Sequence, residues 1–117
     1  MIDNIDHQCP LSDKKCIPCK GTVPPLHHQA TTKLLAQLSK DWKILHGKHL
    51  VKEFNFHNFK QALDFTIAVG TVAETEGHHP DIYLSYGKVK IEIWTHKING
   101  LTESDFILAS KIDNILR

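Results

Sequence analysis

The chain has 117 residues, with 14 Lys plus Arg against 13 Asp plus Glu and a formal net charge of +1. That length suits one domain around one core, and so even a charge balance offers no field for nucleic acid or an anionic membrane surface, so neither is expected as a partner. No apolar run approaches the roughly 20 residues of a membrane span, and the acidic start Met1-Ile2-Asp3-Asn4-Ile5-Asp6 lacks the basic-then-apolar order of a signal peptide, so a cytoplasmic protein is expected.

Residues 1–25 combine prolines, charges and Cys9, Cys16 and Cys19 without a sustained apolar period, and read as an extended arm wrapping a domain at 26–117. In the cytoplasm these thiols stay reduced, and their odd number argues against a disulfide framework. Cys16-x-x-Cys19 with Cys9 and His7 has the donors for one zinc ion. It is only half of the usual zinc spacing, so a reduced, partly packed arm is the favoured reading.

After Pro24-Pro25, Ala30, Leu34, Leu35 and Leu38 share one face of a short amphipathic helix that ends at Ser39-Lys40-Asp41. Two strands follow, Trp42 to Leu45 and Leu50 to Phe56, joined by a connection containing Gly47. In the second, Leu50, Phe54 and Phe56 alternate with Val51, Glu53 and Asn55, so one face is buried. Asn58 is a cap for the central helix, whose stripe is Phe59, Ala62, Leu63, Phe65, Val69, Val72 and Ala73 and whose stop is Gly77. Gly70 within it points to close backbone packing against a sheet.

A second hairpin alternates Ile82, Leu84 and Tyr86 before Gly87, then Val89, Ile91, Ile93 and Thr95, with His96 at the end of the last strand. Thr102 and Asp105 resemble a capping box opening a final helix with Leu108, Ala109, Ile112, Ile115 and Leu116 on one stripe. The order α-β-β-α-β-β-α predicts an α+β two-layer sandwich: a four-stranded antiparallel sheet with three helices packed on one face. Unpaired sheet edges, and Val51 and Trp94 on the other face, favour self-association as a dimer or dimer of dimers.

Chemistry concentrates between Glu74 and Asp105. His78 and His79 follow the central helix, and Pro80 holds His79 extended, so the two imidazoles point in different directions. Imidazole both gives and takes protons near neutral pH, which suits an elimination of water. Asp105 lies on the apolar face of its helix and wants an imidazole whose tautomer it can fix; Glu74 has the position for a similar role. Taken alone, the His pair is equally well a polar connection. His27-His28 is such a pair at the start of a surface helix, and His7, His46, His49 and His57 read as solvent-facing.

Glu74-x-x-x-His78-His79-Pro80, then Tyr86, Thr95-His96 and Asp105, resembles the signature of the pterin-4a-carbinolamine dehydratases. The likeness extends to Pro24-Pro25-Leu26, Trp42, Phe54-x-Phe56 and Gly100-Leu101-Thr102, and covers about residues 20 to 117. It implies a hydro-lyase that dehydrates 4a-hydroxytetrahydropterin (4a-hydroxytetrahydrobiopterin) to the quinonoid dihydropterin, in tetrahydropterin recycling linked to an aromatic amino acid hydroxylase. It implies no metal or organic cofactor, and strands that pair across a dimer. By resemblance His78 and His96 are the acid and base, His79 binds and orients the pterin, and Glu74, Pro80, Thr95 and Asp105 support the pocket. Two positions depart from the pattern: Gly77 where many relatives have Asp or Asn, and Ser104 where many have Arg. The alternative is a non-catalytic dimeric interaction module on the same fold, a transcription cofactor or assembly factor.

Overall fold

The computed structural model describes residues 11–17 and 24–116. Its elements are α1 (His28–Leu35), β1 (Lys43–Leu45), β2 (His49–Asn55), α2 (Phe59–Glu76), β3 (Asp81–Ser85), β4 (Lys88–Ile93) and α3 (Glu103–Asn114), with short 3-10 turns at Leu11–Asp13 and His96–Ile98. The α+β architecture is the one expected. The sheet runs β1-β2-β4-β3 with every neighbouring pair antiparallel. This order places the second hairpin's last strand, β4, inside the sheet against β2, which hydrophobic period alone left open.

Alternation explains which face the helices cover. Leu50 pairs with Ile93, Phe54 with Val89, Ile82 with Ile91 and Leu84 with Val89, so these side chains project together. Leu50, Val89, Ile91 and Ile93 are sealed from solvent against Ala62, Phe65 and Val69 of α2 and Phe106, Leu108 and Ile112 of α3. Each such large aliphatic side chain stabilises the fold by about 1.5–3 kcal/mol relative to an exposed one. Among the described residues, no helix is long and apolar enough to cross a membrane.

Lys52 sits between Leu50 and Phe54 on the buried face and is neutralised there. Its ammonium donates to Asp113 at 2.8 Å and Ser39 at 2.6 Å, while the Trp42 indole donates to the same carboxylate at 2.9 and 3.0 Å. This cluster pins the start of β1 to the end of α3. Pro25 lies against Gly100, and the Leu26 N–H donates to the Leu101 carbonyl at 2.9 Å, so the two outlying stretches of the resemblance meet in space.

The described part of the arm lies along α3. Leu11 enters the core. The Ile17 N–H donates to Ser104 Oγ at 2.9 Å, the Cys16 N–H donates to Glu76 Oε1 at 3.0 Å, and the Cys16 thiol donates to the Ser104 carbonyl at 3.4 Å. Ser104, one of the two departures, is thus one of the residues on which the arm docks.

Several expectations are corrected. α1 stops at Leu35, and Leu38 lies beyond it in a turn, half-buried on the core. Phe59 and Tyr86, assigned to buried faces, are exposed; Phe59 begins its helix and Tyr86 lies past the last paired residue of β3. α3 ends at Asn114, leaving Leu116 exposed. A Cβ on Gly70 would meet nothing within 4 Å, so this glycine faces open space rather than the sheet.

Candidate functional site

The site begins where α2 ends. Gly77 takes the left-handed conformation, φ 66° and ψ 25°, its N–H donates to the Glu74 carbonyl and the His78 N–H to the Ala73 carbonyl. This is a Schellman closure, which glycine enters without the Cβ penalty of other residues. The reversal turns His78 back toward the start of α3, where Asp105 is completely buried.

Asp105 organises what it touches. Its Oδ1 lies 2.5 Å from His78 Nε2, while Oδ2 accepts from Thr95 Oγ1 at 2.9 Å and from the Thr102 N–H at 2.8 Å. One carboxylate therefore closes the helix start, ties it to the end of the sheet and orients an imidazole. Three donors converge on it, so His78 holds its proton on Nε2 and Nδ1 is the nitrogen left for other chemistry. Thr95 has given its only proton to Asp105, so the 3.1 Å contact between Thr95 and Thr102 is donated by Thr102.

His79 turns the other way. Its Nε2 lies 2.6 Å from Glu74 Oε1, one turn back on α2, and both side chains are exposed. The divergence expected from Pro80 is present: adjacent imidazoles are held by separate carboxylates.

His96 is not the end of a strand. β4 stops at Ile93, Thr95 forms an isolated antiparallel bridge with Gly100, and His96 opens the 3-10 turn between them. Asn99 takes φ 49° to close this turn, and His96 and Lys97 are left exposed at its tip. A pocket of about 320 Å³ results, lined by Gly77, His78, His79, Trp94, Thr95, His96 and Lys97. It gathers the three predicted histidines and Thr95. Asp105 and Glu74 stand behind the imidazoles, and Pro80 follows outside the lining.

The same geometry adds residues that sequence reasoning missed. The Trp94 indole is stacked on His49, ring centroids 4.0 Å apart and planes 13° from parallel, and its centroid is 4.3 Å from that of His96. His49 Nδ1 lies 2.5 Å from Glu92 Oε2. His49 was expected to face solvent and instead is largely covered. The signal was its place in the alternation, one residue before Leu50, but it acquires meaning only when Leu50 is known to pair with Ile93.

Two histidine and cysteine readings end differently. His27 and His28 sit exposed at the start of α1. Of the zinc candidates, His7, Cys9 and Cys19 lie outside the described residues. Cys16 is occupied with the arm's docking, where burial first and the Glu76 carboxylate second push its thiol up from 9.0 to about 12. Glu76 is held below its ordinary range, chiefly by the Cys16 backbone N–H that it accepts. Among the described residues, no three His, Cys, Asp or Glu side chains are grouped to hold a metal ion.

Residues 24–115 match the family described as Pterin 4 alpha carbinolamine dehydratase. The chain belongs to that family. A protein of Alkaliphilus metalliredigens named for pterin-4-alpha-carbinolamine dehydratase is 52% identical over 103 residues, 88% of this chain and 93% of its own. One from Rickettsia canadensis with the same name is 54% identical, over 89% of this chain and 95% of its own. Among solved structures, the transcriptional coactivator/pterin dehydratase from Brucella melitensis superposes with a TM-score of 0.72 at 29% identity, covering 78% of this chain and 97% of that one. The dehydratase family is one of carbon-oxygen hydro-lyases. Of the residues that carry the resemblance, His78, His79, Thr95 and His96 line the pocket, whereas Trp42, Phe54 and Leu101 belong to the core.

Proposed function

We propose that the protein dehydrates 4a-hydroxytetrahydropterin to the quinonoid dihydropterin by histidine acid/base catalysis. The observation that carries the reading is the convergence of His78, His79 and His96 on one pocket, with His78 braced by a buried carboxylate. A carbinolamine loses water when its 4a-hydroxyl accepts a proton and leaves, while a ring N–H gives up its proton and the C=N bond forms. One group must donate and another accept, which two imidazoles of opposite protonation can do.

His78 and His96 are the acid/base pair. His78, with its proton fixed on Nε2, offers Nδ1 as acceptor, and His96 at the exposed rim serves the leaving hydroxyl. His79 binds and orients the pterin. Asp105, Thr95 and Glu74 hold these groups in place, and Pro80 keeps His79 apart from His78. The reaction uses protons alone, so no metal or organic cofactor is required. Exposed Phe59 and Ile67 on α2 and Tyr83 on β3 suit a homodimer or homotetramer. The cellular role is cytoplasmic tetrahydropterin recycling beside an aromatic amino acid hydroxylase.

The second reading is a dimeric interaction module, a transcription cofactor or assembly factor, supported by the double name of the Brucella melitensis structure. The test is the decay of chemically generated 4a-hydroxytetrahydropterin, followed by ultraviolet absorbance at near-neutral pH. Acceleration that collapses in His78→Ala supports the dehydratase; a rate equal to the uncatalysed one overturns it in favour of the module.

A further inference from the structure

The three pocket histidines differ in what orients them. His78 has Asp105 and His79 has Glu74, each within 2.6 Å. Among the described residues the His96 ring has no such carboxylate; its packing partner is the indole of Trp94, 4.3 Å away and tilted by 47°. An imidazole at the exposed tip of a tight turn has two free torsions, and a tilted aromatic contact restrains it only weakly. That restraint directs the ring only if the indole is itself fixed.

Trp94 is fixed from across the sheet. Leu50 and Ile93 are paired and point to the helices, so by alternation His49, Glu92 and Trp94 share the opposite face. His49 lies flat on the indole at 4.0 Å, and its Nδ1 contact with Glu92 at 2.5 Å sets the angle of the imidazole. The His49 and Glu92 side chains are only 25% and 15% exposed, so water competes little for the contact.

We infer that Glu92 and His49 are positioning residues that act through Trp94 to aim His96 into the pocket. Glu92 sets His49, His49 sets the indole plane, and the indole sets His96. The third histidine thereby receives, by relay across two strands, the orientation that the other two receive directly. The inference deepens the dehydratase reading and rests on it for the kinetic consequence; the aiming of His96 is a separate physical claim with its own readout.

The experiment compares the full chain with His49→Ala, His49→Phe and Glu92→Gln at one fixed pH. His96 ring protons, assigned by their loss in His96→Gln, are read by NMR, where the neighbouring indole displaces them from free-histidine positions. In folded His49→Ala more than half of that displacement is lost and kcat falls about tenfold with KM little changed, as expected for misdirection of a reacting group. His49→Phe keeps a flat ring on the indole and restores both, which a loss of general stability would not do. Unmoved His96 resonances in folded His49→Ala overturn the relay. Should that variant fail to fold, Glu92→Gln decides by the same resonances, displaced if the relay holds and unmoved if it does not. If the unaltered protein dehydrates no pterin, the proposed function falls while the resonance comparison still judges the relay.

Discussion

Asp105 and His78, 27 residues apart, are joined by a 2.5 Å contact in which the carboxylate is fully buried and the imidazole faces the pocket. The same carboxylate receives the Thr102 N–H that begins α3 and the hydroxyl of Thr95. The fold and the proposed chemistry therefore meet at this one side chain. Asp105→Ala leaves three donors without their acceptor and is expected to destabilise the fold by about 2–3 kcal/mol, read by urea denaturation. Asp105→Asn keeps the volume but replaces the acceptor facing His78, and should lower dehydration about tenfold or more with a smaller loss of stability. Equal stability and activity in both variants would contradict the coupling.

His78→Ala and His96→Ala are each expected to lower the dehydration rate at least about tenfold, within the range for loss of a general acid or base. They should differ in stability. His78→Ala leaves a buried carboxylate without its imidazole, whereas His96 is exposed, so only the first should show a clear fall in thermal midpoint. Unchanged rates in both would remove the catalytic assignment.

The Lys52 ammonium and the Asp113 carboxylate are 2.8 Å apart with both side chains largely buried. Removing one partner strands the other charge. Asp113→Ala is expected to cost about 3–5 kcal/mol, and the double variant Lys52→Met with Asp113→Ala to recover a large part of it. A double variant no better than the single one would show that the Trp42 and Ser39 hydrogen bonds, rather than the charge pair, carry the stability.

Gly70 lies inside α2 and has open space where a Cβ would project. Gly70→Ala should stabilise the protein by up to about 1 kcal/mol. Gly77→Ala should do the opposite, since its φ of 66° strains any side chain. Thermal midpoints of the two variants moving in the same direction would refute this distinction.

The arm's contact titrates at both ends of the pH scale. Cys16 is raised from 9.0 to about 12, so the unfolded thiol ionises first: its contribution is complete below 9.0 and is lost as pH rises toward 12. Glu76 is lowered, so its contribution is present above about 4.5 and is lost as pH falls through its folded value. In a chain with Cys9→Ser and Cys19→Ser, Cys16 should resist alkylation at pH 8 until denaturant is added. Rapid alkylation of the folded protein would place the thiol outside the protected contact.

The element types and the family were legible in the sequence alone. Period-3.6 stripes marked α2 and α3, period-2 runs marked β2 to β4, and Asn58, Gly77 and the Thr102/Asp105 pair marked ends that are local by nature, each decided within a few residues. The His78-His79-Pro80 run was legible because proline constrains its neighbour whatever surrounds it. Only the tertiary structure decided what is non-local: that β4 lies against β2, that Lys52 finds Asp113, and that Gly70 faces outward. His49 shows the reason most plainly. Its own neighbours in sequence give a polar residue beside a hairpin turn, and its stack on Trp94 exists only because the Leu50–Ile93 register brings two strands together with one particular face shared. Side-chain period specifies how a residue alternates along its strand, but not which strand will lie alongside.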